Sequence, residues 1–384
     1  MSQRKKSTLS ALTVAVSGLL IAPALWACTS LLYSDAHDNA YAGRTLELPM
    51  ELPYKVSYFP QGATYGSQAD KHHTLDFTGK NAFVSIGVPD PISGDVKVVE
   101  GLNDKGLTFS LLAFPSAEGP TDMVDNTQAV LAAIDLGAWA LSQFDTVSAV
   151  KDALADQPTM VTSLLPGHLL STPFHYVIHD ASGESAVIEF FNGEKNIIDN
   201  PLGVMTNGPE FSWHMTNMNN YTHLSNIDHS RLDAQGVRLE QPDSGIATAA
   251  LPSSNTSVGR FVRAFYYANF AEKAETPERA ITTLSQIMNN FDRPRGITID
   301  NRFKDGIANI TAPGVHDNRV YTSEYTSWVT LTDLAQRKLY VRTYDSLNYI
   351  SIDLTELTDV EEIKHVSLSD LHSDMHNATA ALVN

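Results

Sequence analysis

The sequence predicts an α+β fold in which two antiparallel sheets pack against each other with helices outside. Three observations predict it. Stretches with the period of strands fall in three blocks, at the start, middle and end of the chain. Pairs of segments with helical spacing separate those blocks. Strands within a block are joined by short turn-rich links, of which Asp180-Ala181-Ser182-Gly183 is the strongest hairpin signal. Strand runs alternating with helical pairs are the pattern of layered sheets with outer helices.

In chain order, residues 28–33 (CTSLLY) read as a strand, 35–39 as a turn, and 41–48 (YAGRTLEL) as a second strand pairing back on the first. Pro49 and Pro53 then force a loop, because proline has no N–H to give a sheet ladder. Strands are expected at 54–60, 82–88 and 96–99, with a hairpin turn over 101–107 feeding an apolar run at 108–114. Val130, Leu131, Ile134, Ala138 and Leu141 predict a helix from Asp125 to Phe144, and Asp145 is the expected cap of a second from Thr146 to Leu154. Strands at 175–178 and 185–191 follow. Helices are expected at 258–271 and 277–291, the latter with Thr276 as N-cap and Pro277 in the first turn. Strands at 327–333, 338–344 and 349–353 close the pattern.

Cys28 is the only cysteine of 384 residues. Before it lie a basic start (Arg4, Lys5, Lys6), an apolar stretch over 8–22 and the small Ala27. That is the build of a secretory signal peptide, too short and wrongly flanked for a lasting membrane span. Residues 1–27 are read as an export leader, and the residues from Cys28 on are enough for one big domain or two small ones. Leu25 is large for the position three before the cut. Leu25-Trp26-Ala27-Cys28 also approximates a lipobox, although Trp26 fits that pattern poorly. On the leader alone, Cys28 stands open as a nucleophile, a lipid anchor or a buried thiol.

Three basic and no acidic residues precede Cys28, so its removal takes the formal charge from −18 to −21. Such acidity argues against nucleic acid and anionic lipid as partners. With one cysteine there is no internal disulfide. The 13 histidines are scattered, and no HExxH or CxxC spacing occurs, so neither metal nor cofactor is expected.

A cysteine at a chain start carries its own base. Its thiol titrates at about 8.5 and an α-amine at about 7.7–8.0, so the neutral amine can take the thiol proton. A nearby cation favours the thiolate, and N–H donors must meet the oxyanion of amide attack. Candidates are present: Arg44 and Glu47 in GRTLE, Asn207 in MTNGP, and Arg260 in GRFVR. On one strand Arg44 and Glu47 point to opposite faces unless the strand ends between them, which Pro49 makes plausible. Each also reads as an ordinary residue: a surface pair, a turn former, a solvated helix arginine.

Six markers in order carry a resemblance: CTSLLY (28–33), GRTLE (43–47), EGLNDKGL (100–107), TNGPEFSWHMTNMNNY (206–221), SVGRFVRAFY (257–266) and YTSWVTLTDLAQRKLYVRTY (325–344). With these the chain, from Cys28 to about Asp353, resembles the choloylglycine hydrolase family of conjugated bile acid hydrolases and penicillin V acylases. The resemblance implies a four-layer αββα N-terminal-nucleophile hydrolase, with 28–384 as one domain, and an exported member with this leader is similar to proteins of a Gram-negative periplasm. It implies Cys28 as nucleophile and base, Arg44 beside the thiol, Asn207 as oxyanion donor and Arg260 as support. Glu47 matches an acid that is usually Asp and binds the nucleophile's amino group, here one methylene longer. Ala113 matches a position often held by Asn or Tyr, leaving its backbone N–H as the second donor. Leu46, Met50, Leu52, Phe114 and Phe174 lie near the markers and are the expected acyl pocket, or else plain core. The implied substrate is a small-molecule acyl amide, penicillin V or an N-acyl homoserine lactone, with conjugated bile salts next. Family members often form homotetramers. The non-enzymatic rival is a lipoprotein anchored through Cys28.

Overall fold

The computed structural model describes residues 27–90, 93–121, 128–162, 173–299 and 323–371. The leader residues 1–26 and Asp125 lie outside these. The first strand, β1 (Ala27–Ser34), pairs antiparallel with β2 (Ala40–Leu48) in the expected hairpin, Cys28 opposite Leu46 and Ser30 opposite Arg44. They belong to a six-stranded sheet whose order is 204–205, β1, β2, 325–333, 338–343, 350–353. The second sheet has eight strands in the order 194–199, 185–191, 174–179, 108–113, 96–103, 83–89, 55–59, 364–367. All neighbours in both sheets run antiparallel.

Side chains of a strand alternate between its two faces, and this parity builds the layers. Arg44, on the same face as Cys28 and Leu46, reaches backbone carbonyls of Val99 and Leu111 in the second sheet. Gly43 and Glu47 look the other way. A Cβ on Gly43 would sit 2.7 Å from Met288 Sδ of the 277–288 helix, so glycine lets that helix lie against the sheet. The second sheet is covered on its far side by the helices 136–143 and 147–156, with Phe109, Leu136, Leu141, Val150 and Phe190 in one buried cluster. Gly101 repeats the device: its Cβ would meet Leu141 at 2.5 Å. The layer order is helix, sheet, sheet, helix, as expected. Gly43→Ala is expected to cost about 1–3 kcal/mol by overpacking. An unchanged urea midpoint for that variant would contradict this close approach.

Four local expectations are corrected. The helix expected from Asp125 begins at Leu136; Leu131–Ala132 instead pair as a short parallel strand with Thr159–Met160. Val130, Leu131, Ala132 and Ala133 are all buried, and such a continuous apolar run fits a buried strand as well as a helix face. The 147–156 helix is capped by Thr146, whose backbone is extended and whose hydroxyl accepts from Ala149 N at 3.2 Å. Asp145 is occupied elsewhere, accepting from Asn81 Nδ2 at 2.8 Å. The 96–103 strand continues through Asn103, so the turn shrinks to the residues around Gly106, at φ +86°. Finally, the strand end between Arg44 and Glu47 that Pro49 made plausible does not occur: β2 runs to Leu48 as expected, and the two residues stay on opposite faces. The C-terminal helix pair has the predicted start: Thr276 accepts from Arg279 N, with Pro277 in the first turn.

Candidate active site

Cys28 sits in β1, 2 % exposed, between the two sheets. Arg44 Nη2 points at its Sγ from 3.7 Å. The guanidinium is held by Val99 O (3.0 Å), Leu111 O and the Glu100 carboxylate (3.2 Å), and lies 4.9 Å over the Trp328 ring. Arg44 and Glu100 are both fully buried. Burial pushes the Cys28 thiol up, and the Glu47 charge adds to this; the Arg44 guanidinium and, more weakly, the Ala113 backbone oppose it. A thiol so buried keeps its proton unless a base is at hand. Burial likewise pushes Glu100 up to about 7, against Arg44.

The nitrogen of Cys28 donates to Asn207 Oδ1 at 2.8 Å. In the uncut chain it is the peptide N–H after Ala27; in a chain starting at Cys28 it is the α-amino nitrogen. Arg260 Nη2 donates to the same oxygen at 2.7 Å. Two donors on one atom identify it as the amide oxygen, so Nδ2 faces the Ala113 side, where it donates to Ala113 O at 2.8 Å. Nδ2 was expected to point at an oxyanion; in the structure one of its two hydrogens is engaged by Ala113 O. Arg260 also bonds Cys28 O and Thr29 Oγ1, from the 257–270 helix behind the sheet. It is 1 % exposed and clamps β1 to Asn207.

Glu47 is on this helix side of β2, opposite Ala27 in the ladder. Its Oε1 accepts from Thr326 at 3.3 Å; its buried Oε2 makes no well-formed hydrogen bond among the described residues. Burial pushes Glu47 up, with the Arg260 charge opposing. Arg293 and Glu324, joined at 2.6 Å, extend this buried charge network.

The structure thus brings Cys28, Arg44, Ala113, Asn207 and Arg260 together, with Glu47 adjoining from the other face. It does not gather the five expected pocket residues. Leu46 is core beside Cys28, Phe174 belongs to the core beyond the second sheet, and Phe114 is stacked on His175. Met50 is half-buried just after β2. Only Leu52 lines a cavity, of about 180 Å³, shared with Tyr54, Arg295, Tyr325 and Trp328. The sequence reading missed Glu100, His175, Glu189, His214, Ser257 and Trp328. Four of them stood inside its own markers, but a motif names residues without saying which of them touch. Among the described residues no three His, Cys, Asp or Glu gather as metal ligands, and no helix is long and apolar enough to cross a membrane.

Residues 28–366 match the model of the "Linear amide C-N hydrolases, choloylglycine hydrolase family". The chain belongs to the choloylglycine hydrolase family. It is a linear amide C–N hydrolase. Similar members include a bile salt hydrolase/transferase of Lactiplantibacillus plantarum, 26 % identical over 86 % of this chain and 95 % of that protein. A penicillin V acylase of Pectobacterium atrosepticum is 26 % identical over 93 % and 88 %. A solved conjugated bile acid hydrolase from Clostridium perfringens shares the fold, with TM-score 0.75 and 22 % identity over 91 % of this chain and 99 % of that one.

Proposed function

We propose that this choloylglycine hydrolase member cleaves its amide through Cys28, once residues 1–27 are removed. The observation that carries this is the double hold on one residue: Cys28 N on Asn207 Oδ1 and Cys28 Sγ beside Arg44 Nη2. The family match also begins at Cys28. Sγ attacks the substrate carbonyl carbon and the freed α-amine takes the thiol proton. The carbonyl oxygen becomes an oxyanion, met by the second Asn207 Nδ2 hydrogen and the Ala113 N–H. Collapse breaks the C–N bond, the Cys28 ammonium gives its proton to the leaving amine, and water then hydrolyses the thioester. Glu47, opposite Ala27 in the uncut ladder and with one oxygen lacking a well-formed bond, takes the ammonium when Ala27 is gone.

The substrate carries a hydrophobic acyl or phenoxyacetyl group on a small polar amine: penicillin V or an N-acyl homoserine lactone. The build of the leader supports a periplasmic location. The relatives named bile salt hydrolases favour a second reading, conjugated bile salts. The test is expression in a Gram-negative host, intact mass of the periplasmic protein, and single turnover with penicillin V, an N-acyl homoserine lactone and a conjugated bile salt. The expected result is a chain starting at Cys28 whose mass rises by one acyl group early in turnover. A diacylglycerol adduct on Cys28 would sink the nucleophile reading in favour of an anchored lipoprotein.

A further inference from the structure

The structure assigns a positioning role to His175 and Glu189: they set the Thr206–Asn207 peptide, and through it the Asn207 amide, for catalysis. The inference rests on the proposed oxyanion role of Asn207. His175 Nε2 lies 2.8 Å from Thr206 O, and a carbonyl only accepts, so Nε2 bears a hydrogen. On the other side of the same peptide plane, Asn207 N donates to Ser257 Oγ at 3.0 Å. A peptide group is rigid. Gripping its oxygen from one side and its N–H from the other fixes its rotation, and so the direction in which the Asn207 side chain leaves the backbone. Ser257 Oγ, which donates to Asn207 O at 2.8 Å, and His214 Nε2, at 2.9 Å from it, hold the following peptide.

The His175 ring is itself locked. Its Nδ1 is 3.0 Å from Glu189 Oε1. With Nε2 donating to a carbonyl, that contact requires a proton between Nδ1 and the carboxylate. Both Glu189 oxygens also accept from Phe211 N, at 3.0 and 3.1 Å, at the start of the 211–218 helix. His175 and Glu189 are 0 % and 2 % exposed, deep enough for these bonds to be unscreened by water. The ring also lies flat on Phe114, with centroids 4.8 Å apart and planes 3° from parallel. Phe114 follows Ala113, the other oxyanion donor. One imidazole therefore bonds the peptide before Asn207 and stacks on the residue after Ala113.

The test uses two opposed variants of the mature full-length chain, assayed with penicillin V and with a conjugated bile salt. His175→Gln carries an amide N–H to where Nε2 was and keeps the Thr206 bond. His175→Asn puts its amide where Nδ1 was and keeps only the Glu189 bond. Positioning predicts that H175N loses about 10- to 100-fold in kcat with KM changed less than about twofold, while H175Q stays near wild type. In an N207A background the H175N loss should vanish, because the effect passes through Asn207. Equal kcat loss in H175N and H175Q, or an undiminished H175N loss in N207A, would overturn the assignment. If N207A alone keeps wild-type kcat, the oxyanion role itself has failed; if N207A is slow while H175N is normal, only the positioning has. Glu189→Met, which fills the same space without an acceptor, covers the case in which the His175 variants do not fold. Low kcat at an unchanged KM supports the assignment, and wild-type kcat refutes it.

Discussion

Cys28→Ala should abolish hydrolysis of every amide that the mature protein turns over, by about 10⁴-fold or more in kcat. The physical basis is that, in the proposed mechanism, two groups of one residue do the chemistry. The sulfur lies beside Arg44 Nη2 and the nitrogen is held by Asn207 Oδ1. Removing Sγ leaves the base without a nucleophile to deprotonate. The side chain is small and the replacement nearly isosteric, so the fold should survive; matched melting curves for wild type and C28A check this. Cys28→Ser is the sharper arm. It keeps shape and amine but raises the nucleophile's pKa far above that of the α-amine, so most of the rate should be lost while substrate still binds. A C28A protein that retains a tenth of wild-type kcat would place the chemistry elsewhere and discard the mechanism.

The second large effect is on stability. Arg44→Met should destabilise the fold by about 3–5 kcal/mol, the usual cost of stranding a buried charge. Arg44 and Glu100 are 3.2 Å apart with side chains 1 % and 3 % exposed, and Arg44 also satisfies Val99 O and Leu111 O. Methionine fills the space but leaves the Glu100 carboxylate and two carbonyls without that donor. Changing both members, Arg44→Met with Glu100→Leu, should recover most of the loss, because neither member of this pair is then left as an unpaired buried charge. Urea unfolding of the three proteins decides it. If R44M unfolds at the wild-type midpoint, the pair is not what holds the sheets together at this point. If the double variant folds well but turns over poorly, Arg44 serves the thiol separately from its structural role.

The strands were legible from runs rich in β-branched and aromatic residues set between turn signals, although β2 and the other central strands are buried on both faces and show little alternation. The hairpin of β1 and β2 and the 185–191 and 325–333 strands fall where those runs and turn chemistry put them. Thr276-Pro277 was legible because a cap is a local bond, between a side chain and an N–H three residues on. The start of the 136–143 helix was not, since Val130 to Ala133 are buried all round and a buried run has no period to read. Nor was the true cap at Thr146, because Asp145 is spent on Asn81, 64 residues away in sequence.

The site divides in the same way. By itself the sequence determined that Cys28 is the sole thiol, which residue types stand within each marker, and from strand parity that Arg44 shares a face with Leu46 while Glu47 does not as long as the strand runs on. Each of these depends on identity or on spacing within one strand. Only the tertiary structure decided that Arg44 is pinned by Glu100, that Arg260 and Cys28 N share one oxygen of Asn207, and that His175 joins Glu189 to the Thr206 carbonyl. Those contacts span 14 to 179 residues of chain. They exist because the two sheets and the helix behind them are packed in one register, and nothing in a local stretch of residues encodes which of its polar atoms that packing will bring into reach.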